Sequence, residues 1–114
     1  MADEAAVATA DMAVAGHGLE KGWQSTDLLQ FNDAMVRFRT MHVVEAHWHK
    51  HTDSDELFIV MSGCLEIDVR EDESSPVRTH MLNPGQLLAI RRGHEHRARS
   101  RGLTTLLALD AIRK

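Results

Sequence analysis

Cysteine, tyrosine and long apolar runs are scarce or missing in this chain of 114 residues. Cys64 is the single cysteine, so no disulfide can form within the chain, and a reducing compartment is favoured. With no tyrosine and only five phenylalanine or tryptophan residues, aliphatic side chains and six methionines must fill the core. No stretch approaches the roughly 20 apolar residues of a membrane helix, and no secretory signal is visible. A cytoplasmic protein that does not contact a membrane is therefore predicted.

The chain also lacks an even distribution of charge. Residues 1–76 contain 15 acidic and 5 basic side chains, whereas residues 77–114 contain 2 acidic and 8 basic ones. A basic segment can bind nucleic acid. Here the basic residues are spread over apparent strands rather than gathered in a tail, and no nucleic-acid-binding module is recognisable. Nucleic acid is therefore not an expected partner.

Short alternating patterns predict an all-β fold in one domain. Leu65, Ile67 and Val69 alternate with charged residues, which is the period of a strand with one buried face. Similar segments separated by turns add up to about eight strands and favour a barrel or a sandwich. Residues 1–22, which are rich in alanine, are interpreted as a mobile tail or a short helix. Residues 23–114 are interpreted as the barrel domain.

The chain contains eight histidines, and six of them fall in two short windows. Histidine is the commonest protein ligand of metal ions. In a strand, side chains two residues apart share a face, so His47, His49 and His51 point the same way. Glu56 follows across a polar turn, and His96 lies forty residues further on. These residues are candidates for one metal site whose distal ligand depends on the closed fold.

Imidazole and carboxylate ligands together indicate which ions such a site would hold. They suit one divalent transition metal ion, namely Fe(II), Mn(II), Zn(II), Ni(II) or Cu(II), and they do not suit Ca(II) or Mg(II). The sequence does not distinguish among the five transition metals. Four protein ligands on an octahedral ion leave two positions open, which is typical of an exchangeable site rather than a structural one.

Two segments of the sequence resemble the two motifs of the cupin family. They read His49-x-His51-x4-Glu56-x6-Gly63 and Gly85-x5-Arg91-x-Gly93-x2-His96. The resemblance covers most of the chain, residues 34–112, and is to small single-domain type-2 cupins of the RmlC-like superfamily. It implies a double-stranded β-helix, also called a jelly-roll barrel, with a metal ion in its mouth. The metal ligands that it implies are His49, His51, Glu56 and His96.

Three further residues are candidates for lining the pocket or supporting the ligands. His47 and His94 each precede an implied ligand by two residues and share its face in a strand. Arg91 stands where the second motif usually has a proline. A cation there could attract an anionic substrate, and the interpretation favoured over this one is a solvated turn residue. Val43 is a departure from the first motif, because it occupies the position where that motif has its leading glycine.

Three functions are compatible with this resemblance, since a fold does not determine function. The first is a small metalloenzyme of the dioxygenase or isomerase type that acts on a small organic substrate. The second is a non-catalytic metal-binding or small-ligand-binding module, such as a sensor or storage protein. The third is a structural domain with a vestigial site, which the retention of four ligands disfavours. No second general acid or base is identifiable, so whether the chain is an enzyme stays open.

The expected partners are a small-molecule ligand or substrate and a second copy of the chain. Small cupins commonly pair through their sheets, and a strand over residues 34–44 would otherwise be an exposed edge. A homodimer joined through this strand is therefore predicted.

Overall fold

The computed structural model describes residues 6–12 and 21–112, and nine β-strands make up its regular structure. They are β1 (Gly22–Phe31), β2 (Ala34–His42), β3 (Val44–Glu45), β4 (Glu56–Ser62), β5 (Leu65–Arg70), β6 (Arg78–Leu82), β7 (Leu87–Ile90), β8 (Glu95–Ser100) and β9 (Thr104–Ala111). Among the described residues, no helix is long and apolar enough to cross a membrane. The prediction of a tail or short helix over residues 1–22 falls largely on residues outside those described, 1–5 and 13–20.

The strands form two antiparallel sheets, and this arrangement confirms the predicted all-β, jelly-roll fold. One sheet has five strands in the order β1-β2-β9-β4-β7, and the other has four in the order β3-β8-β5-β6. Neighbours in each sheet are often distant in sequence, as in the pairs β2 with β9 and β5 with β8. The two cupin-like segments therefore meet only because the barrel closes.

The core lies between the two sheets and is mainly aliphatic, as the composition requires. Leu65 and Ile67 are completely buried, in agreement with the alternation seen in the sequence. Phe58 and Val60 of β4 and Leu106 of β9 meet them from the other sheet. Because both sheets contribute to one cluster, the barrel is held together by apolar packing.

Ion pairs cover the outer face of the four-stranded sheet. Asp68 is almost fully buried there and accepts hydrogen bonds from Arg99 at 2.7 and 2.9 Å and from Arg97 at 2.9 Å. The Trp48 ring lies against the Arg70 and Arg97 guanidinium groups, with centroid distances of 3.8 and 4.6 Å. Charge pairing and cation–π contact thus replace apolar packing on this face.

The expectation that residues 34–44 form an exposed edge strand is wrong. The strand is β2, which ends at His42 and pairs with β1 on one side and with β9 on the other. β1 is the edge of this sheet. The sequence predicted no strand that covers β2 on this side. A dimer joined through β2 as an edge is excluded, because its backbone groups are already paired.

Candidate metal centre

The four implied ligands come from three parts of the barrel. Glu56 begins β4, His96 lies in β8, and His49 and His51 lie in the extended segment between β3 and β4. Their ligand atoms all lie within 4.8 Å of one another. The structure thus brings these four residues together into a cluster that could hold a metal ion.

Backbone hydrogen bonds join the two segments that contain the ligands. The His49 amide donates to the His96 carbonyl at 3.0 Å, and the His96 amide donates to the His49 carbonyl at 2.8 Å. The Gly93 amide donates to the His51 carbonyl at 2.7 Å. The segment around His49 is not a regular strand as predicted, but a single bridge to β8. These bonds hold the imidazoles in place independently of any ion.

The contacts inside the cluster fit a metal ion. Nε2 of His96 lies 2.9 Å from Oε1 of Glu56, and Nε2 of His51 lies 3.2 Å from the same oxygen. A carboxylate oxygen only accepts, so each of these Nε2 atoms must either carry a hydrogen toward it or share a metal ion with it. Two ligands at right angles and about 2.1 Å from one ion are roughly 3.0 Å apart. The observed separations are close to that value.

Backbone carbonyls orient two of the imidazoles. Nδ1 of His49 lies 3.1 Å from the carbonyl oxygen of His47, and Nδ1 of His96 lies 3.4 Å from that of His94. In the metal-bound form each Nδ1 would carry the hydrogen and donate it to its carbonyl, which would leave each Nε2 lone pair for a metal. His47 and His94 therefore support the ligands through their backbones, two residues before each ligand.

Asp110 lies behind the third imidazole and was not identified from the sequence. Its Oδ2 is 3.8 Å from Nδ1 of His51, and its Oδ1 accepts a hydrogen bond from Arg37. Asp27 contacts the same guanidinium at 3.1 Å. A carboxylate beside a ligand histidine is a common outer contact in metal sites. The one sequence feature that could have identified Asp110 is that an acidic residue ends the otherwise apolar strand β9.

The electrostatics of the cluster keep Glu56 ionised. Burial by itself raises the pKa of the Glu56 carboxyl, but the hydrogen bond with His96 and the charge of Arg39 outweigh it and lower the pKa below its ordinary value. Burial also lowers the pKa of the His49 imidazole, by more than the hydrogen bond to His47 raises it. An ionised carboxylate and a neutral imidazole are the forms that bind metals.

A cavity of about 510 Å³ opens beside the cluster. His49 and His96 border it, together with His47, which was a pocket candidate. Arg39 also lines it and was not identified from the sequence, because nothing in the alternation of β2 shows which face of the strand turns inward. Its Nη1 lies 3.7 Å from Oε2 of Glu56.

The other two sequence candidates lie elsewhere. His94 lines a second cavity of about 430 Å³, next to Arg78 and His80 of β6. The Arg91 side chain is 73% exposed, pairs with Asp55 at 3.0 Å, and is absent from the lining of both cavities. The contact between Arg91 and Asp55 ties the loop before β8 to the start of β4.

Comparison with known proteins agrees with this fold. The family model described as Cupin domain matches residues 38–112, and the chain therefore belongs to the cupin family. YdbB, an uncharacterised protein of Bacillus subtilis (strain 168), is 36% identical over 99 residues, which make up 87% of this chain and 81% of YdbB.

Two solved structures illustrate the likeness in three dimensions. A cupin-2 domain protein from Shewanella frigidimarina has a TM-score of 0.71 and 26% identity, covering 82% of this chain and 85% of its own. A conserved protein of unknown function from Streptococcus pyogenes has a TM-score of 0.72 and 18% identity, covering 98% of this chain and 92% of its own. At the latter identity, the likeness shows the fold alone.

Proposed function

We propose that this protein is a metal-dependent enzyme that acts on a small organic molecule. The carrying observation is the cavity of about 510 Å³, which borders His49 and His96. Small-molecule sites usually measure about 300–1,000 Å³. Structural metal sites are closed by protein ligands, whereas catalytic sites keep a position open to substrate. The cavity beside the ligands supports an open site.

One divalent transition metal ion, from among Fe, Mn, Zn, Ni and Cu, would be held by His49, His51, Glu56 and His96. Such an ion supplies Lewis acidity toward a substrate oxygen and a place for dioxygen in an oxidation. The contacts behind the imidazoles orient the ligands, and the apolar walls of the cavity exclude water from the substrate. Isomerisation and dioxygenation are the reaction types that we propose.

Metal analysis tests the first part of this proposal. Protein purified without chelators, or reconstituted with each of the five metals, is expected to contain about one ion per chain. His49→Ala and His51→Ala should lose most of this metal and stay folded by circular dichroism. His80→Ala is the matched control, because His80 is exposed on β6 and outside the cluster. Absence of near-stoichiometric metal would contradict the proposal, and unfolding of either variant would indicate a structural ion.

Turnover tests the second part. Iron-loaded protein is screened for oxygen uptake with a panel of small organic compounds, and each metal-loaded form is screened for isomerisation of the same compounds. Turnover that disappears in His51→Ala supports an enzyme. Stoichiometric metal with specific ligand binding and no turnover would favour the alternative, a non-catalytic sensor or storage module.

We also propose that the protein forms a homodimer through the outer face of the five-stranded sheet. Leu106 and Ala108 of β9 point into the barrel, so the residues that alternate with them in this strand point outward. The apolar side chains of this face are Val36, Phe38, Leu57, Ile59, Leu87, Ala89, Leu107 and Leu109. A contiguous apolar patch of this kind marks interaction sites in soluble proteins, and twofold dimers are the commonest oligomers of soluble proteins.

Light scattering after size-exclusion chromatography tests the dimer. The wild-type protein should have twice the mass of one chain, and Ile59→Lys should have the mass of one chain, because a lysine in a dimer interface would bury a charge. Lys50→Ala changes a charge away from this face and should leave the mass unchanged. A monomeric wild type would contradict the dimer.

A further inference from the structure

We propose that the cavity beside the metal centre binds small carboxylates with an apolar body, and that Arg39 holds the carboxylate group. The proposal rests on the proposed function in taking this cavity as the substrate site. It concerns a side chain that is not a metal ligand.

Arg39 reaches the cavity because of the register of β2. It pairs with Leu106 of β9, a completely buried core residue, so both side chains point into the barrel. Only 21% of the Arg39 side chain is exposed. Its guanidinium carbon lies 5.6 Å from the centre of the Trp23 ring, which lines the same cavity. The cation is thus held at the wall of the cavity rather than in open solvent.

The guanidinium retains donors that could bind an anion. Its Nη1 is 3.7 Å from Oε2 of Glu56, which is beyond hydrogen-bonding distance. Its Nε donates to the Ser25 hydroxyl at 3.5 Å, a long contact. A guanidinium has five N–H donors in a planar fork that matches a carboxylate. Among the described residues, no carboxylate is recorded within hydrogen-bonding distance of Arg39.

The other charged groups at the cavity do not cancel this cation. Glu45 also lines the cavity, but its Oε2 lies 3.3 Å from Nε of Arg97 and 3.7 Å from Nη1 of Arg99. Glu56 directs its Oε1 toward the histidines of the metal centre. Contacts of Oε1 with Nε2 of His96 and of His51, at 2.9 and 3.2 Å, offset part of the Glu56 charge in the metal-free protein, and a metal ion there would offset more. The cavity therefore favours an anionic ligand near Arg39.

The rest of the lining is suited to an apolar ligand body. Six of the lining residues have apolar side chains: Trp23, Met41, Val44, Ala46, Phe58 and Ala98. A ligand with its carboxylate at Arg39 would lay its apolar part against these walls and reach toward His49 and His96. Apolar walls with a few placed polar groups are the usual design of a small-molecule site.

Arg91 offers an alternative anion-binding residue, which the sequence suggested. It pairs with Asp55 at 3.0 Å and lies outside the cavity lining. Loss of the positive charge at Arg91 should therefore not affect the preference for anionic ligands. Arg91→Gln is a matched control for Arg39→Gln, because both replace an arginine by a neutral side chain.

Matched acid and amide pairs test the proposal by calorimetry on metal-free protein. The pairs are benzoate and benzamide, phenylacetate and phenylacetamide, and 4-methylpentanoate and 4-methylpentanamide. In the wild type, at least one acid should bind about tenfold more tightly than its amide, because a charge-assisted hydrogen bond replaces a neutral one. Arg39→Gln should bind acid and amide equally, Arg39→Lys should keep part of the preference, and Arg91→Gln should keep all of it.

Two results would overturn the proposal. One is a wild-type protein that binds no acid more tightly than its amide, and the other is an undiminished preference in Arg39→Gln. Circular dichroism melts establish that each variant is folded, and Arg39→Lys keeps the test valid if Arg39→Gln is unstable. Because the titrations use metal-free protein, a failed metal analysis would contradict the proposed function and leave this result standing. A wild-type protein without any preference for the acids would contradict this proposal and leave the proposed function standing.

Discussion

An oxygen atom lies near Nδ1 of each imidazole of the candidate metal centre. At the scale of single residues, an oxygen in this position favours a hydrogen on Nδ1 and so leaves Nε2 available to a metal. Two are backbone carbonyls, those of His47 and His94, and do not depend on the side chain at that position. The third belongs to the Asp110 carboxylate, 3.8 Å from His51. Only this third contact can be removed by mutation.

Asp110→Asn should lower metal affinity by about 10- to 100-fold, since outer contacts of ligand histidines typically contribute this much. The affinity is measured by competition with a chromogenic chelator. Asp27→Asn is one control, because Asp27 contacts Arg37 but not His51. His94→Ala is a second, because the contact to His96 comes from the backbone. Unchanged affinity in Asp110→Asn would show that this carboxylate does not support the ligand.

At the scale of elements, the connection between β2 and β3 adopts a conformation that its sequence does not favour. Val43 has a φ of +51°, in the left-handed region that glycine adopts freely. The same residue stands where the first cupin motif has a glycine. The side chain is 51% exposed, so it gains little by burial. The turn is therefore imposed by the strands on either side of it.

Val43→Gly should raise the free energy of unfolding by about 1 kcal/mol. Left-handed backbone costs a residue with a Cβ atom roughly 1–2 kcal/mol, and the greater freedom of glycine in the unfolded chain offsets part of the gain. Urea unfolding measures the change. Val77→Gly is the matched control, with 47% exposure and no positive φ, and should destabilise the protein. A lower free energy of unfolding in Val43→Gly would contradict the inference that the backbone at Val43 is strained.

The ion pairs between β5 and β8 should make stability depend on pH in the acid range. Hydrogen bonds from Arg99, above all, hold the pKa of Asp68 well below its ordinary value of 3.8, although burial acts in the opposite direction. The folded state therefore binds this proton less readily than the unfolded state does. The stabilisation is fully present above pH 3.8 and is lost as the pH falls from there toward the lower pKa of the folded state.

Urea unfolding between pH 7 and pH 2 measures this dependence. Asp68→Asn should be less stable than the wild type at neutral pH, by roughly 3 kcal/mol, because the arginines lose a buried partner. This difference in stability should become smaller below the ordinary pKa of an aspartate, because wild-type Asp68 then takes up a proton when the protein unfolds. Glu73→Gln, a change in the exposed loop before β6, should leave the wild-type pH profile intact. If the wild type and Asp68→Asn differed in free energy of unfolding by the same amount at every pH, the predicted coupling between stability and protonation of Asp68 would be contradicted.

At the scale of the whole molecule, we expect the barrel to fold without an ion. The apolar core cluster extends across both sheets, with the buried Glu56 and His96 as the only candidate ligands in the interior. The segments that contain His49 and His96 are also joined by their own backbone hydrogen bonds. A bound metal would add to this stability by mass action, without being required for folding.

Removal of metal with a chelator should leave the circular dichroism spectrum unchanged and lower the melting temperature. At a free metal concentration one hundred times the dissociation constant, the ion contributes about 2.7 kcal/mol. The difference should disappear in His51→Ala, which lacks a ligand. Unfolding on chelation would show that the ion is structural and would contradict an open site.

Local spacing was enough to predict much of this protein. The alternation at Leu65 and Ile67 predicted strands and buried positions correctly, because the two-residue period of a strand is a local property. The two motif-like segments selected four candidate ligands, which lie within 4.8 Å of one another in the structure. The alternation of Arg97 and Arg99 in the sequence indicates a polar face of β8, but the near-complete burial of Asp68 beneath them depends on the pairing of β8 with β5.

The sequence by itself determined the all-β class, the cupin resemblance and the identity of the candidate ligands. Only the tertiary structure decided that Arg39 and Asp110 face the candidate metal centre, that Arg91 lies away from the cavity, and that β2 is covered by β1. The physical reason is that strand pairing joins residues far apart in the chain. Which face of a strand turns inward depends on its partners, and no local pattern in a strand with two half-buried faces contains that information.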